Sequence, residues 1–567
     1  MVKTTLASGS LFGLPTLLQY SPDTGPCAVC KKPSARPCSR CRVDFYCGKE
    51  HQTLDWPRHR KGCGVLAVES NEALGRFVVA TRAIPAGTIL MREVPLVAYP
   101  VVLLPHAACT GCFARLPLGP LQGCQRCGFP VCGEACSLKE VHLPECSAFQ
   151  RAGFKLSTKL YLEDDKYMNA LKALRVHLAT QKMPQGRRLA ELKSDFQPRG
   201  QSGIPEVYAW ELGQRVEETS ARIAKAVSWL RGKVGMKWIP AKDLERALGA
   251  VDMNALQGSP CYNMDPDALQ AVGLFAGHSL LEHSCAPNAF SYYWHNEDDS
   301  NRDDMETVLV AARDIARGEH VTITYLDGNS VCDAPTRRQT LLNWSFFCRC
   351  VLCRDPTELG LHLTAWYCGY CNRKGRRCLV EVPDICGFGC EGCGEGGYVR
   401  KDAEGNGWAE VSRLEARIKE LRGSGQKVPR KVWKGLLSEA LRTGGVLHPT
   451  HALVLQVKKE LAFERALDKL AGRVPADASG QAGDLRQDVA YTRELLRVMD
   501  VLQPGISPAR RDCLMNLYDL TEALLELPGN ENNEALMKEY VELNEKIQPC
   551  LINPQEKKNF PALFAET

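Results

Sequence analysis

The chain has 567 residues, of which 44% are hydrophobic and 24% charged, with a formal net charge of +5 and 27 cysteines. That length predicts roughly three or four folding units. The balance of apolar and charged residues excludes a disordered chain, and so small a positive charge argues against a bulk nucleic-acid-binding surface. The start, MVKTTLASGSLFGLPTLLQY, lacks a basic segment followed by an unbroken apolar run. The longest apolar stretch, Val94 to Pro105, is broken by prolines and falls short of a hydrocarbon layer of ~30 Å. An intracellular protein, cytoplasmic or nuclear and without a membrane span, is expected. In that reducing setting, paired cysteines mean metal rather than disulfide.

In chain order, the first organised segment carries Cys27, Cys30, Cys38, Cys41, Cys47, His51, His59 and Cys63. A β-rich stretch follows, GRFVVATRAIPAGTILMREVPLVAYP, whose β-branched residues alternate about Pro85-Ala86-Gly87 as two short strands joined by a turn. A second cluster then repeats the first: Cys109, Cys112, Cys124, Cys127, Cys132, Cys136, His142 and Cys146. Both read C-x2-C, C-x2-C, C-x3-(C or H), H-x3-C, which is eight ligands for two tetrahedral zinc sites per cluster. A C-x2-C pair puts two thiolates on one tight turn, and four protein ligands leave no open position, so these sites are structural.

Residues 150–253 read mostly as helix, interrupted by a polar loop from Gln181 to Gly203. A β-rich segment returns at 305–326, with an Arg317-Gly318 turn. Cys348, Cys350 and Cys353 supply three ligands and need a fourth from elsewhere. Cys368, Cys371, Cys390 and Cys393 have zinc-ribbon spacing, with Cys378 and Cys386 inside the loop as competitors. About six zinc ions and their deprotonated thiolates take the net charge to about −4, which removes the apparent basicity. From about residue 408 the pattern is helical. Val411, Leu414, Ile418 and Leu421 share one face, as do Leu517, Leu520, Leu524 and Leu527, and Pro475 to Asp484 reads as a linker.

The cluster ending FYCGKEHQTLDWPRHRKGC resembles a MYND zinc finger, and the second cluster is a shorter version. LLEHSCAPNAF resembles the NHSCxPN signature of SET-domain lysine methyltransferases, and ITYLDG followed by WSFFCRCVLC resembles their catalytic strand and post-SET zinc knot. The whole is similar to the SET-and-MYND (SMYD) methyltransferase family, most like its arthropod SmydA branch. The resemblance implies an α+β multidomain chain. Its parts would be an N-terminal finger at 27–63, the first SET part at 64–105, a second finger at 106–148 and a helical insertion at 149–253. The SET core would follow at 254–330, the post-SET knot and ribbon at 331–400, and a helical, TPR-like tail at 401–567.

Carried over residue by residue, the resemblance makes Cys285 the fourth ligand of the Cys348, Cys350 and Cys353 knot. Tyr325 becomes the catalytic tyrosine at the end of its strand. The donor, S-adenosylmethionine, would meet Gly75, Arg76 and Phe77 in a glycine turn, Asn254 at its methionine end, and Ser279, Leu281, Glu282 and His283 along the signature strand. Trp344 and Phe346 would wall the donor and lysine channel. Two positions depart from the family pattern: Phe77 replaces a glycine, and Glu282 replaces an asparagine. An amide donates and accepts, whereas a carboxylate only accepts, so Glu282 meets a donor ammonium but repels a donor carboxylate.

Two functions follow. One is a protein-lysine N-methyltransferase acting on histones or other proteins, with MYND fingers that bind proline-containing peptides. The other is a catalytically degenerate scaffold, a chromatin or co-repressor adaptor.

Overall fold

The computed structural model describes residues 25–551 apart from 31, 40–43, 72–73, 101–105, 159–160, 162–163, 182–191, 193, 195–203, 258–270, 295–305, 327–330, 369–370, 372–378, 385–386, 391–406, 424–426, 442–446, 467–480 and 531–532. No described helix is long and apolar enough to cross a membrane.

The first finger is built around helix α1 (Lys49–Gly62), entered from a short ribbon in which Gly25–Pro26 pairs with Pro33–Ser34. Its described buried side chains are few, chiefly Cys27, Cys38, Phe45, Tyr46, His59 and Cys63. So small an apolar core needs a metal to supply folding free energy.

The strands that follow are β1 (Leu66–Asn71), β2 (Gly75–Ala80), β3 (Ile89–Glu93) and β4 (Val97–Pro100). After the second finger and the helices come β5 (Ala255–Gln257), β6 (Ala271–Leu274), β7 (Glu282–His283), β8 (Ala289–Trp294), β9 (Glu306–Ala311) and β10 (Thr322–Ile323). They form several small sheets rather than one large one: β1 with β2, β4-β6-β5, β8-β9-β3, and the parallel pair β10 with β7.

The turn at Pro85–Gly87 sits where expected, but the strands on its two sides do not pair with each other. β2 is held by β1 on one edge and by the 318–321 segment on the other, where Ala80 N donates to Glu319 O at 2.9 Å and Val321 N to Val78 O at 2.8 Å. β3 pairs instead with β9. The turn is pinned across the fold, with Ala86 N donating to Asp314 Oδ1 at 2.8 Å and Gly87 N to Ala311 O at 2.9 Å.

The helical insertion comprises α2 (Leu143–Arg151), which closes the second finger, α3 (Asp165–Thr180), α4 (Glu206–Ser228) and α5 (Ala241–Asn254). Asp164 caps α3, its carboxylate accepting from Lys166 N at 2.9 Å. Leu171, Leu174, Leu230, Leu244 and Leu248 are fully buried in one core that also contains Cys109, Cys124 and Cys127 of the second finger. The finger and the insertion therefore fold as one packed body.

After α6 (Ala334–Leu341) and the cysteine knot, the tail is made of α7 (Gly407–Gly423), α8 (Arg430–Ala440), α9 (Ala452–Ala462), α10 (Gln481–Leu502), α11 (Pro508–Leu525) and α12 (Glu534–Ile547). The two expected apolar faces are the buried ones: Val411, Leu414 and Ile418 in one cluster, Leu517, Leu520 and Leu524 in another. Of the expected linker 475–484, residues 481–484 already belong to α10, and the remainder lies outside the described residues. The tail meets the SET sheets at the loop between α10 and α11. There Gly505, at φ 71°, lets the backbone approach so closely that a Cβ would stand 1.8 Å from Ala312 O, and Ile506 N donates to that same carbonyl at 2.9 Å.

Candidate active site and metal centres

The cysteine clusters resolve into interleaved groups whose donor atoms lie within 4.8 Å of one another: Cys27, Cys30, Cys47 and His51; Cys38, His59 and Cys63; Cys109, Cys112, Cys132 and Cys136; Cys124, Cys127, His142 and Cys146; and Cys285, Cys348, Cys350 and Cys353. Pairs one and three of each finger share a site, and pairs two and four share the other. Cys41, the expected partner of Cys38, lies outside the described residues. Three or four soft donors so close, with none of these cysteines in a disulfide, fit tetrahedral zinc.

Outer partners orient the imidazole ligands. His59 Nδ1 lies 2.6 Å from Asp44 Oδ2, and His142 Nδ1 lies 3.3 Å from the buried Glu145 carboxylate. His142 Nε2 faces Cys127 Sγ at 3.5 Å, the carboxylate–histidine–metal arrangement. Arg175 bonds Glu145 and reaches Ala98 O of β4 at 3.0 Å, tying the second finger's ligand shell to a SET strand. In the ribbon, Cys368 is half-buried and Cys371 buried. Cys390 ends a strand (Gly387–Cys390) and Cys393 lies outside the described residues, so that group stays an expectation.

The structure brings Cys285 against the post-SET cysteines, 3.9 Å from Cys348 Sγ and 3.6 Å from Cys353 Sγ. Arg338 Nη2 donates to Cys353 O at 2.6 Å, and Arg337 pairs with buried Glu358 at 2.9 Å beside the knot. Leu495, Val498, Met499 and Leu502 of α10 pack on the same cluster, so the tail backs the knot.

Tyr325 stands two residues after the end of β10. Its hydroxyl donates to Leu281 O at 2.6 Å, and its backbone N–H donates to His283 Nδ1 at 2.9 Å. Burial pushes His283 down to about 4, which leaves it a neutral imidazole able to accept that hydrogen bond while Nε2 faces Cys285 Sγ at 3.2 Å. Around Tyr325 stand Trp344 with ring centroids at 5.5 Å, His283 at 5.3 Å and Phe346 at 6.2 Å. Burial, with the Glu282 carboxylate second, pushes the Tyr325 hydroxyl well above the usual phenol range.

The other expected donor residues are spread over β2, the end of α5 and the signature segment. Ser279 lies in a 3₁₀ turn (His278–Leu280) and Leu281 just after it, not on a strand as expected, so the signature strand is only Glu282–His283. That turn touches both β2 and β5; Gly75, at φ 72°, opens β2, and Asn254 ends α5 just before β5. Arg76 sits on β2 opposite Ser70. Asn254 Nδ2 donates back to Ala250 O at 2.9 Å, and Ser279 Oγ donates to Ala276 O at 2.7 Å.

Sequence reasoning missed two groups. Buried Glu93 anchors the turn by accepting from Gly277 N at 2.9 Å and His278 N at 3.2 Å; no local signal marks it. His320 lies 2.5 Å through Nδ1 from Glu282 Oε2 and stacks on Phe77 at 4.4 Å and 12°. The unexpected carboxylate at 282 was the available signal, since a half-buried charge calls for a partner.

Comparison with known proteins agrees with this geometry. The MYND finger family matches residues 27–63 and the SET domain family residues 75–326. "SET domain-containing protein SmydA-8, isoform A" of Drosophila melanogaster is 29% identical over 316 residues, which is 55% of this chain and 60% of that protein. "Histone-lysine N-methyltransferase ASHR1" of Arabidopsis thaliana is 22% identical over 337 residues, 58% of this chain and 64% of that protein. "SET and MYND domain-containing protein DDB_G0292140" of Dictyostelium discoideum is 25% identical over 351 residues, 55% of this chain and 62% of that protein. The chain thus matches less than two thirds of the length of each. Residues 27–63 and 75–326 of this chain are therefore similar to a MYND finger leading into a SET domain, as in relatives named for one or both.

Proposed function

We propose that the chain is an S-adenosylmethionine-dependent protein-lysine N-methyltransferase acting on histone or non-histone proteins, with the fingers as protein-binding modules. The observation that carries this reading is the Tyr325 centre: a tyrosine fixed by Leu281 O and His283, walled by Trp344 and Phe346, and closed by the Cys285 knot. A relative named as a histone-lysine N-methyltransferase supports it.

When bound, S-adenosylmethionine supplies an electrophilic methyl group on a sulfonium that leaves as a neutral thioether. The chain's residues then need only position, dry and deprotonate. Aromatic walls exclude water, which favours the neutral amine of lysine over its ammonium form. The Tyr325 hydroxyl keeps its proton and commits it to Leu281 O, so its oxygen lone pairs are left to orient the amine. A lysine amine aligned by the Tyr325 hydroxyl between Trp344 and Phe346 would then take the donor's methyl group and give up its surplus proton to solvent.

A scaffold without donor binding is the second reading, favoured by Phe77, whose ring stacks on His320 where the family pattern has a glycine. Titration calorimetry of zinc-loaded protein with S-adenosylmethionine separates the two. Heat of binding is expected, and none at millimolar donor would leave the scaffold. Tyr325→Phe should lower methyl transfer roughly hundredfold while sparing donor affinity; equal loss of both would contradict its role.

A further inference from the structure

The departures at positions 77 and 282 are one structural unit. β10 pairs with β7 so that Thr322 faces Glu282, and the segment before β10 pairs with β2 so that Val79 faces His320. Side chains two residues apart on a strand share a face. His320 therefore falls between Phe77 on one neighbour and Glu282 on the other, which is where its ring stacks and its Nδ1 bonds. The three form a ladder across the face beside the 278–280 turn. Its exposure is graded: Phe77 is buried, Glu282 is 17% exposed and His320 42%. Glu282 is also the carboxylate whose field reaches the Tyr325 hydroxyl.

We propose that His320 is a positioning and specificity residue of the donor site: it donates its Nδ1–H to the Glu282 carboxylate and, braced on Phe77, holds it so that a zwitterionic amino-acid end can be seated beside an acidic residue. The proposal rests on the donor-site reading above. With His320 in place, Glu282 presents a paired carboxylate whose free edge accepts from an ammonium group, and its repulsion of a carboxylate is offset. Without His320, the carboxylate is unpaired and repels the anionic half of the same ligand. Phe77 fixes the imidazole plane by stacking, which a glycine at position 77 could not do.

The test is calorimetry of the full-length, zinc-loaded protein with three probes: S-adenosylmethionine, S-adenosylhomocysteine and 5′-methylthioadenosine, the last lacking the amino-acid end. His320→Ala should weaken the first two about tenfold and leave 5′-methylthioadenosine within about twofold. Glu282→Gln added to His320→Ala should restore most of the loss, because the unpaired charge is gone. Melting temperatures of the variants report folding separately. If His320→Ala weakens all three probes evenly, or none, or if Glu282→Gln gives no rescue, the inference is overturned while the donor site stands. If the wild-type protein binds none of the three, the donor-site reading falls and this inference falls with it.

Discussion

Replacing Cys285 by serine should release the post-SET knot without unfolding the chain. Cys285 stands 63 residues before Cys348, whereas Cys348, Cys350 and Cys353 are local to one another and keep three thiolates for the metal. A clip that closes a loop of that length removes about 4 kcal/mol of chain entropy from the open state. That is up to roughly a thousandfold in the opening equilibrium. The apolar packing of Leu341, Leu352 and the α10 residues remains, so opening should be confined to the knot and the aromatic wall beside it. Arg349 and Arg354 flank the cysteines and are exposed, which makes trypsin a direct reporter. When reclosing outpaces cleavage, the cutting rate follows the open population. Cys285→Ser should therefore raise cleavage at these arginines by about two to three orders of magnitude, while Cys332→Ser, a half-buried cysteine outside the metal groups described above, should not. An increase below about tenfold in zinc-loaded protein would refute the claim that a remote thiolate fastens this segment.

Arg175→Ala leaves Glu145 buried without its counter-charge and should cost about 3–5 kcal/mol in urea denaturation of zinc-loaded protein. Glu145→Gln in the same chain should recover much of that loss. Gly505 and Gly529 both have positive φ, but only at Gly505 does a Cβ meet backbone, 1.8 Å from Ala312 O. Gly529→Ala should cost about 1 kcal/mol and Gly505→Ala clearly more, with faster amide exchange at Ile506. Burial pushes Asp488 up to about 6 against the opposing Arg430 pairing. Its protonation favours the folded state below the unfolded value of 3.8, and that contribution is lost as pH rises through about 6. Asp488→Asn should flatten the stability profile across that window, and an unchanged profile would contradict the shift.

The cysteine groups were legible because zinc knuckles are local. A two-residue spacing sets the bite of each pair, and repetition of eight positions in the same order leaves little else for them to do. The tail faces were legible for a similar reason, since Val411, Leu414 and Ile418 recur at helical spacing. Spacing alone did not say which pairs share a metal; that follows from how each finger crosses over itself. Nor did it reach Cys285, which came from the resemblance.

What the sequence by itself determined is therefore the local pattern: which cysteines and histidines recur in paired spacings, where the apolar faces of the tail helices lie, and that a tyrosine stands shortly after the signature. Only the tertiary structure decided what those residues face. The turn at Pro85–Gly87 joins strands that pair elsewhere because Asp314 and Ala311 capture it. Glu282 found His320 across a parallel strand pair, 38 residues away. Parallel neighbours and threaded segments are brought together by packing of the whole body, and no period or spacing along the chain encodes that meeting.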